Sequence, residues 1–412
     1  MMSREMKDSG IEWIGEIPKE WSITKIGVLF LAKAGGDAKP ELYSDIYDDT
    51  HPFPVYTNTM DKNQVYAYTS KPIFKANTIT VTGRGDVGHA FYRNTPYDAI
   101  IRLISLMPRC NLDCRYYAYW INDVIHFFTD NAAIGQLSAQ QITQYPISVL
   151  PLPEQEKIAA FLDSECVRID EVISKTKSTI DEYKKLKQSV ITEAVTKGII
   201  PNREMKDSGI EWIGEIPKEW DTINPKALFS QRKDKAKEGQ RQLTASQQYG
   251  VIYQDEYMEL TGAKVVTVEK DFDILKQVEI GDFVISMRSF QGGLEYSERS
   301  GSISSAYVML IPNLKLVFPR YYRWVLKSII YIKALQSTSN MVRDGQAMRY
   351  SNFSQVRLLS VPLNEQEEIA NYLDEKCAEI DTLITKKEQI VSELESYKKS
   401  LIYEYVTGKN EV

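Results

Sequence analysis

Cysteine is scarce in this chain: Cys110, Cys114, Cys166 and Cys377 are the only four among 412 residues. So few thiols in so long a chain make no disulfide framework, which fits a reducing compartment. Histidine is scarcer, with His51, His89 and His126 scattered apart. Cys110 and Cys114 lie four positions apart, but no second Cys or His pair accompanies them, so no zinc site is expected. No run approaches the ~18 apolar residues a membrane span needs, and Met1 to Gly10 lacks the apolar stretch of a secretory signal. The expectation is a cytoplasmic protein with no membrane partner. A phosphate loop of the Gly-Lys-Ser/Thr type is missing, which removes support for ATP hydrolysis. No charge of one sign dominates: Lys+Arg number 50 and Asp+Glu 56, for a net charge of -6, with 43% hydrophobic and 26% charged residues. These are globular values, and the length leaves room for two to four compact units, each with its own core.

What the chain does have is itself, twice. Arg4 to Trp21 reads REMKDSGIEWIGEIPKEW, and Arg203 to Trp220 repeats every letter. A second pair, LPEQEKIAAFLDSECVRIDEVI from Leu152 and LNEQEEIANYLDEKCAEIDTLI from Leu363, matches without a gap at an offset of 211. The order is stub, variable block, long block, and then the same again. The boundaries fall at 1–150 (stub and first variable block), 151–198 (first long block), 199–360 (second stub and variable block) and 361–412 (second long block). The variable blocks, 22–150 and 221–360, share little sequence although their frames are nearly interchangeable. Drift alone would not spare the frame while erasing its contents, so the blocks are expected to perform different versions of one task.

The long blocks carry apolar residues at 158, 162, 166, 169, 173, 180, 183, 190 and 191, and at 369, 373, 377, 380, 384, 391, 394, 401 and 402. Steps of three and four are a helix stripe. Asn364 and Glu367 have capping-box spacing, Glu154 and Glu156 put negative charge at the positive end of the first helix, and Gly198 and Gly408 stand at the far ends. Some 45 residues at 1.5 Å each make a rod of roughly 65 Å, which has to bury its stripe. Its natural partner is the other rod, antiparallel and related by a pseudo-twofold axis. Cys166 and Cys377 occupy equivalent stripe positions as small apolar core residues.

The variable blocks read as mixed and β-rich, each with strand, turn, strand patterns, a helical stretch (CRYYAYWINDVIHFF, PRYYRWVLKSIIYIKAL) and a closing strand that runs to Pro. The fold class is α+β, one fold with two sequences. Block 22–150 is neutral, block 221–360 carries +5, and the remainder carries -11, so the acid sits on stubs and rods. Basic residues interleaved with aromatics fill the blocks, and such residues neutralise phosphates or contact base edges. By residue type and placement near turns, the candidate DNA contacts are Arg84, His89 and Arg93 in the first block and Arg288, Gln291, Arg343 and Arg349 in the second; Arg102 is a further basic residue of the first block.

Two catalytic look-alikes fail on context. Gly83-Arg-Gly85-Asp-Val-Gly88 has the letters of a dinucleotide fingerprint, but HAFYRN after it does not open a helix, so a glycine turn between strands is expected. Asn94-Thr95-Pro96-Tyr97 is similar to the loop with which adenine methyltransferases grip an extruded base, yet no glycine-rich cofactor loop lies upstream. No nucleophile meets a base, and no cofactor is expected.

The stub SGIEWIGEIPKEW before each block, the GLEYSERSGSISSAYVMLIP passage from Gly293, and the junction from a Pro-ended strand into PEQEKIAAFLD or NEQEEIANYLD resemble the specificity subunits of type I restriction-modification enzymes. That resemblance implies two mixed α/β target-recognition domains joined by two long antiparallel helices, each domain reading one half of a bipartite asymmetric site in double-stranded DNA. It implies docking of two modification subunits, which carry out adenine methylation, and of motor-nuclease restriction subunits through the assembled complex. The chain itself would be non-catalytic. Two other readings stay open at this stage: a self-contained adenine methyltransferase built around Asn94 to Tyr97, and a helical scaffold that binds no DNA. In the family picture, altering rod length is expected to alter the spacer between half-sites, and genome-wide mapping of methylated adenines checks it.

Overall fold

A computed structural model describes residues 4–127, 135–268, 274–286, 289–338 and 348–412. The chain divides into two compact units, 1–177 with 389–412, and 178–388. Unlike the boundaries expected from sequence, this division cuts through both long blocks. The reason is packing: each half of each helix buries its stripe with a different stub and variable block.

The central helix runs Leu152–Lys197 and the C-terminal helix Leu363–Val406. The stripe is buried where the three-four spacing puts it, with Leu162 and Leu373 fully inside and Cys166 and Cys377 beside them. Within the first unit the two helices run antiparallel, since Asp170 meets Lys398 at 2.7 Å while Lys177 meets Glu395 at 3.0 Å. The second unit repeats both bridges at the offset of 211: Asp381 with Lys187 at 2.6 Å, and Glu388 with Lys184 at 3.8 Å, the second pair with its charges exchanged. These surface pairs fix register more than they stabilise. The expected capping box does not form. The C-terminal helix opens at Leu363, so Asn364 lies inside the first turn.

The first turn is held by the stub instead. Glu154 accepts the Trp21 indole N–H at 3.0 Å and the Arg4 guanidinium at 2.6 Å. In the second unit Glu365, 5% exposed, accepts the Trp220 indole N–H at 2.8 Å and pairs with Arg203. The hydrogen bond that Arg203 donates to Glu365 is the first cause raising its guanidinium above the ordinary range. Each stub also covers a helix end: a Cβ on Gly408 would stand 2.4 Å from Pro18, and at φ +71° the position suits only glycine.

Each variable block builds a four-stranded antiparallel sheet. In the first the order is Phe30–Ala34, Ile104–Pro108, Thr78–Val81, Ala90–Arg93, and in the second Phe229–Gln231, Val308–Pro312, Phe283–Ile285, Glu295–Tyr296. Thr78–Val81 and Phe283–Ile285 lie inside their sheets and are buried along their whole length, which β-branched and aromatic side chains suit. The strand after each stub pairs with the strand before each long helix, Ser22–Lys25 with Pro146–Val149 and Asp221–Ile223 with Leu358–Ser360. The rest differs. The first block adds a sheet of Tyr43–Ser44, Ala67–Thr69, Phe53–Tyr56 and Asp98–Ala99, whereas the second adds a hairpin, Leu243–Ser246 with Gly250–Tyr253, and the helix Gln254–Thr261. Among the described residues no helix is long and apolar enough to cross a membrane.

Glu365→Ala leaves the Trp220 indole N–H without its acceptor and the Arg203 guanidinium with Glu219 alone. It is expected to cost about 3–5 kcal/mol, read as a lowered urea midpoint by Trp fluorescence. Tyr321→Phe, which removes only the hydroxyl that donates to Val195 O, should cost about 1 kcal/mol.

Candidate nucleic-acid interface

Each block is bolted to its frame by the same three residues, Arg115-Tyr116-Tyr117 and Arg320-Tyr321-Tyr322, on the helices Cys114–Asp123 and Pro319–Val325. Arg115 reaches Asp163 at 3.0 Å, and Arg320 reaches Asp374, the residue 211 positions on, also at 3.0 Å. Tyr116 donates to Val406 O at 2.7 Å as Tyr321 donates to Val195 O at 3.3 Å. Tyr117 and Tyr322 donate to Ser148 O and Leu359 O. Burial pushes the Tyr116 and Tyr321 phenols well up, so both remain O–H donors. A glutamine at the helix start completes the joint: Gln155 bonds Asp113 N and Leu150 O, and Gln366 bonds Phe318 N and Val361 O. The Arg-Tyr-Tyr repeat stands in the sequence, but two of its three residues are common core types, and their role shows only in these partners.

With one end of each block fixed, the exposed loops at the strand ends are where the candidates fall. Arg84 is exposed on the turn joining Thr78–Val81 to Ala90–Arg93, which is a strand-to-strand turn and no helix opening. His89, half-buried on the same turn, stands 3.4 Å from Asp86. His89 lines an open cavity of about 450 Å³ with Gly85, Gly88, Asn122 and Phe127, and Arg84 stands next to that wall without being part of it. Arg93 is different. It is 5% exposed, its Nε donates to Thr80 at 3.0 Å, its Nη1 donates to Lys62 O at 2.9 Å, and its guanidinium lies 3.5 Å from the Tyr56 ring centre. Burial pulls its pKa down, so this arginine is engaged inside its own domain. Gln291 and Arg349 are exposed on the second block, Arg349 directly before the short helix Tyr350–Phe353. Arg288 and Arg343 lie outside the described residues. In sequence, Arg288 stands three positions past Ile285 as Arg84 stands three past Val81, the ends of equivalent interior strands.

Spatial neighbours sort the remaining cations in a way sequence does not show. Arg232 is clamped by Asp282 at 2.7 Å, Arg241 by Asp255 at 2.7 Å, and Arg299 by Glu256. These arginines hold the second block together before any ligand arrives. Tyr97, the last residue of Asn94-Thr95-Pro96-Tyr97, is fully buried, stacked on Phe74 at 5.2 Å and hydrogen-bonded by Thr78 at 3.0 Å. A ring so enclosed cannot stack on an extruded base. Burial pushes the Cys114 thiol up to about 12 and that of Cys166 to about 11, and both are neutral core groups at neutral pH.

Residues 18–182 match the family model of the type I restriction modification DNA specificity domain. A protein of Mycoplasma pneumoniae that bears the name of a type I specificity subunit is 30% identical over 139 residues, 34% of this chain and 41% of the relative. The chain thus spans less than half the length of that relative. The MjaX specificity subunit of Methanocaldococcus jannaschii is 24% identical across 96% of this chain and 95% of its own. Among solved structures, a chain from a type I R-M system assembly superposes with a TM-score of 0.67 at 13% identity over 95% of this chain and 98% of that one. The HsdS subunit of Thermoanaerobacter tengcongensis superposes with a TM-score of 0.51 at 12% identity, over 96% and 98%. At those identities the superpositions speak for the fold alone. Together with the twice-built stub, joint and helix, the matched domain and the full-length relative make the chain similar to the type I restriction-modification DNA specificity subunits.

Proposed function

We propose that this chain is the DNA-reading subunit of a type I restriction-modification complex. Each variable domain reads one half of a bipartite, asymmetric site, and partner subunits perform methylation or cleavage. The observation that carries this reading is one fold built twice on identical joints, Arg-Tyr-Tyr to Asp163 and to Asp374, with different exposed loops at the strand ends. A frame repeated so closely keeps the presentation of each domain constant. Free variation of the loops then changes only what is contacted, since phosphate contacts position and base contacts specify.

In this reading Arg84 and His89 serve the first domain, and Gln291 and Arg349 the second. Arg288 and Arg343 join the second set on residue type and position. Arg93 serves as the internal support of the sheet that carries Arg84. The exposed polar faces of the long helices receive two modification subunits, and restriction subunits join through the assembled complex. The chain supplies an address and no chemistry. The buried Tyr97 weighs against a methyltransferase centred on Asn94.

The isolated chain should bind duplex with an affinity that falls linearly in log–log form as salt rises, and should transfer no methyl group. Binding that ignores salt would favour the scaffold reading, and methylation by the chain alone would sink the proposal. Arg84→Ala should cost about 1–3 kcal/mol of binding and relax only one half of the methylated site, while Asn94→Ala leaves the pattern intact.

A further inference from the structure

The first variable domain carries a strained turn that its own stability does not explain. Ile101 and Arg102 are consecutive non-glycine residues in the left-handed region, at φ 53° and 61°. A β-branched side chain is poorly suited to that region, where glycine or asparagine would sit more easily. Ile101 is also 42% exposed, so little apolar burial offsets the strain. Strain of this kind persists only where the surroundings over-determine it, and it gathers at binding sites.

The surroundings are explicit. Ile101 N donates to Gly36 O at 2.8 Å and Arg102 N donates to Gly35 O at 3.2 Å. The Asn58 side chain then ties this turn to the Arg84 loop: its Nδ2 donates to Ile101 O, and its Oδ1 accepts Gly83 N at 2.8 Å. A Cβ on Gly83 would stand 2.8 Å from both Arg102 O and Leu137 O, so only glycine lets the two loops meet. The result is two exposed arginines on backbone-joined loops. No carboxylate partner of either is found among the described residues, whereas Arg115 of the same domain is held by Asp113 at 2.5 Å and Arg93 is buried.

We propose that Arg102 is a DNA-contacting residue that takes a backbone phosphate beside the contact made by Arg84, and that Asn58 is the positioning residue that holds both loops in place. The inference rests on the reading of the chain as a DNA-binding subunit. Preorganisation explains the strain: a guanidinium fixed before binding loses less freedom on contact than one on a loose loop.

The test measures binding of a labelled duplex of mixed sequence by the full chain across a salt series, alongside thermal melting. Arg102→Gln should weaken binding roughly tenfold for every sequence and reduce the log–log salt slope by about 0.9, the loss of one phosphate contact. Asn58→Ala should reduce the slope as well. Ile101→Gly separates position from stability. It relieves the left-handed strain and keeps every backbone contact of the turn, so melting should hold or rise and the salt slope should stay that of the wild type. Should wild-type protein bind in a salt-dependent way while Arg102→Gln or Asn58→Ala keeps its slope, this inference fails and the functional reading stands. A wild-type chain with no salt-dependent binding overturns both.

Discussion

A single carboxylate in the first turn of each long helix, Glu154 in one unit and Glu365 in the other, gathers an indole N–H and a guanidinium from a stub far away in sequence. The negative charge also sits at the positive end of the helix dipole. Everything else in a unit follows from that closure. The stub crosses the helix start, its Pro18 or its Trp220 covers the glycine that ends the other helix, and the strand after the stub pairs with the strand before the helix. The arginine and the tryptophan at the two ends of the stub are thus the residues that meet this carboxylate in both copies.

The second constraint is the joint between variable domain and helix. Two tyrosine hydroxyls and one guanidinium end on two backbone carbonyls and one aspartate in each unit. The stub tryptophan shows how the frame tolerates change: Trp13 stacks on His126 at 6.2 Å, and Trp212 meets Tyr331 edge-on at 6.4 Å. The partner is a ring in both units, an imidazole in one and a phenol in the other. By contrast the outer parts of the two domains, an extra four-stranded sheet in one and a hairpin with a helix in the other, have no counterpart in each other. Specificity can thus vary without disturbing the frame.

Much of this was legible from residues alone. The repeated stub, the three-four stripe through Cys166 and Cys377, and the glycine turn at Gly83 to Gly88 depend on local spacing, and spacing is written in the chain. The capping box was misplaced because Asn364 and Glu367 have the right separation, but the helix opens one residue earlier. Arg93 is a candidate contact by residue type and placement near a turn, and the sequence does not reveal that Thr80, Lys62 O and Tyr56 converge on it. Arg241 and Arg299 likewise look free in sequence and are held by Asp255 and Glu256.

The sequence by itself determined that there are two copies of one plan, where their helices lie, which residues line the helix stripe, and that the differences are confined to two blocks. Periodicity and repetition are properties of order along the chain, and burial follows from them. Only the tertiary structure decided which cations are already spent on carboxylates, which compact unit each half-helix joins, and that Asn58 links the loops of Arg84 and Arg102. Those are facts about neighbours tens of residues apart, and electrostatic pairing depends on distance in space.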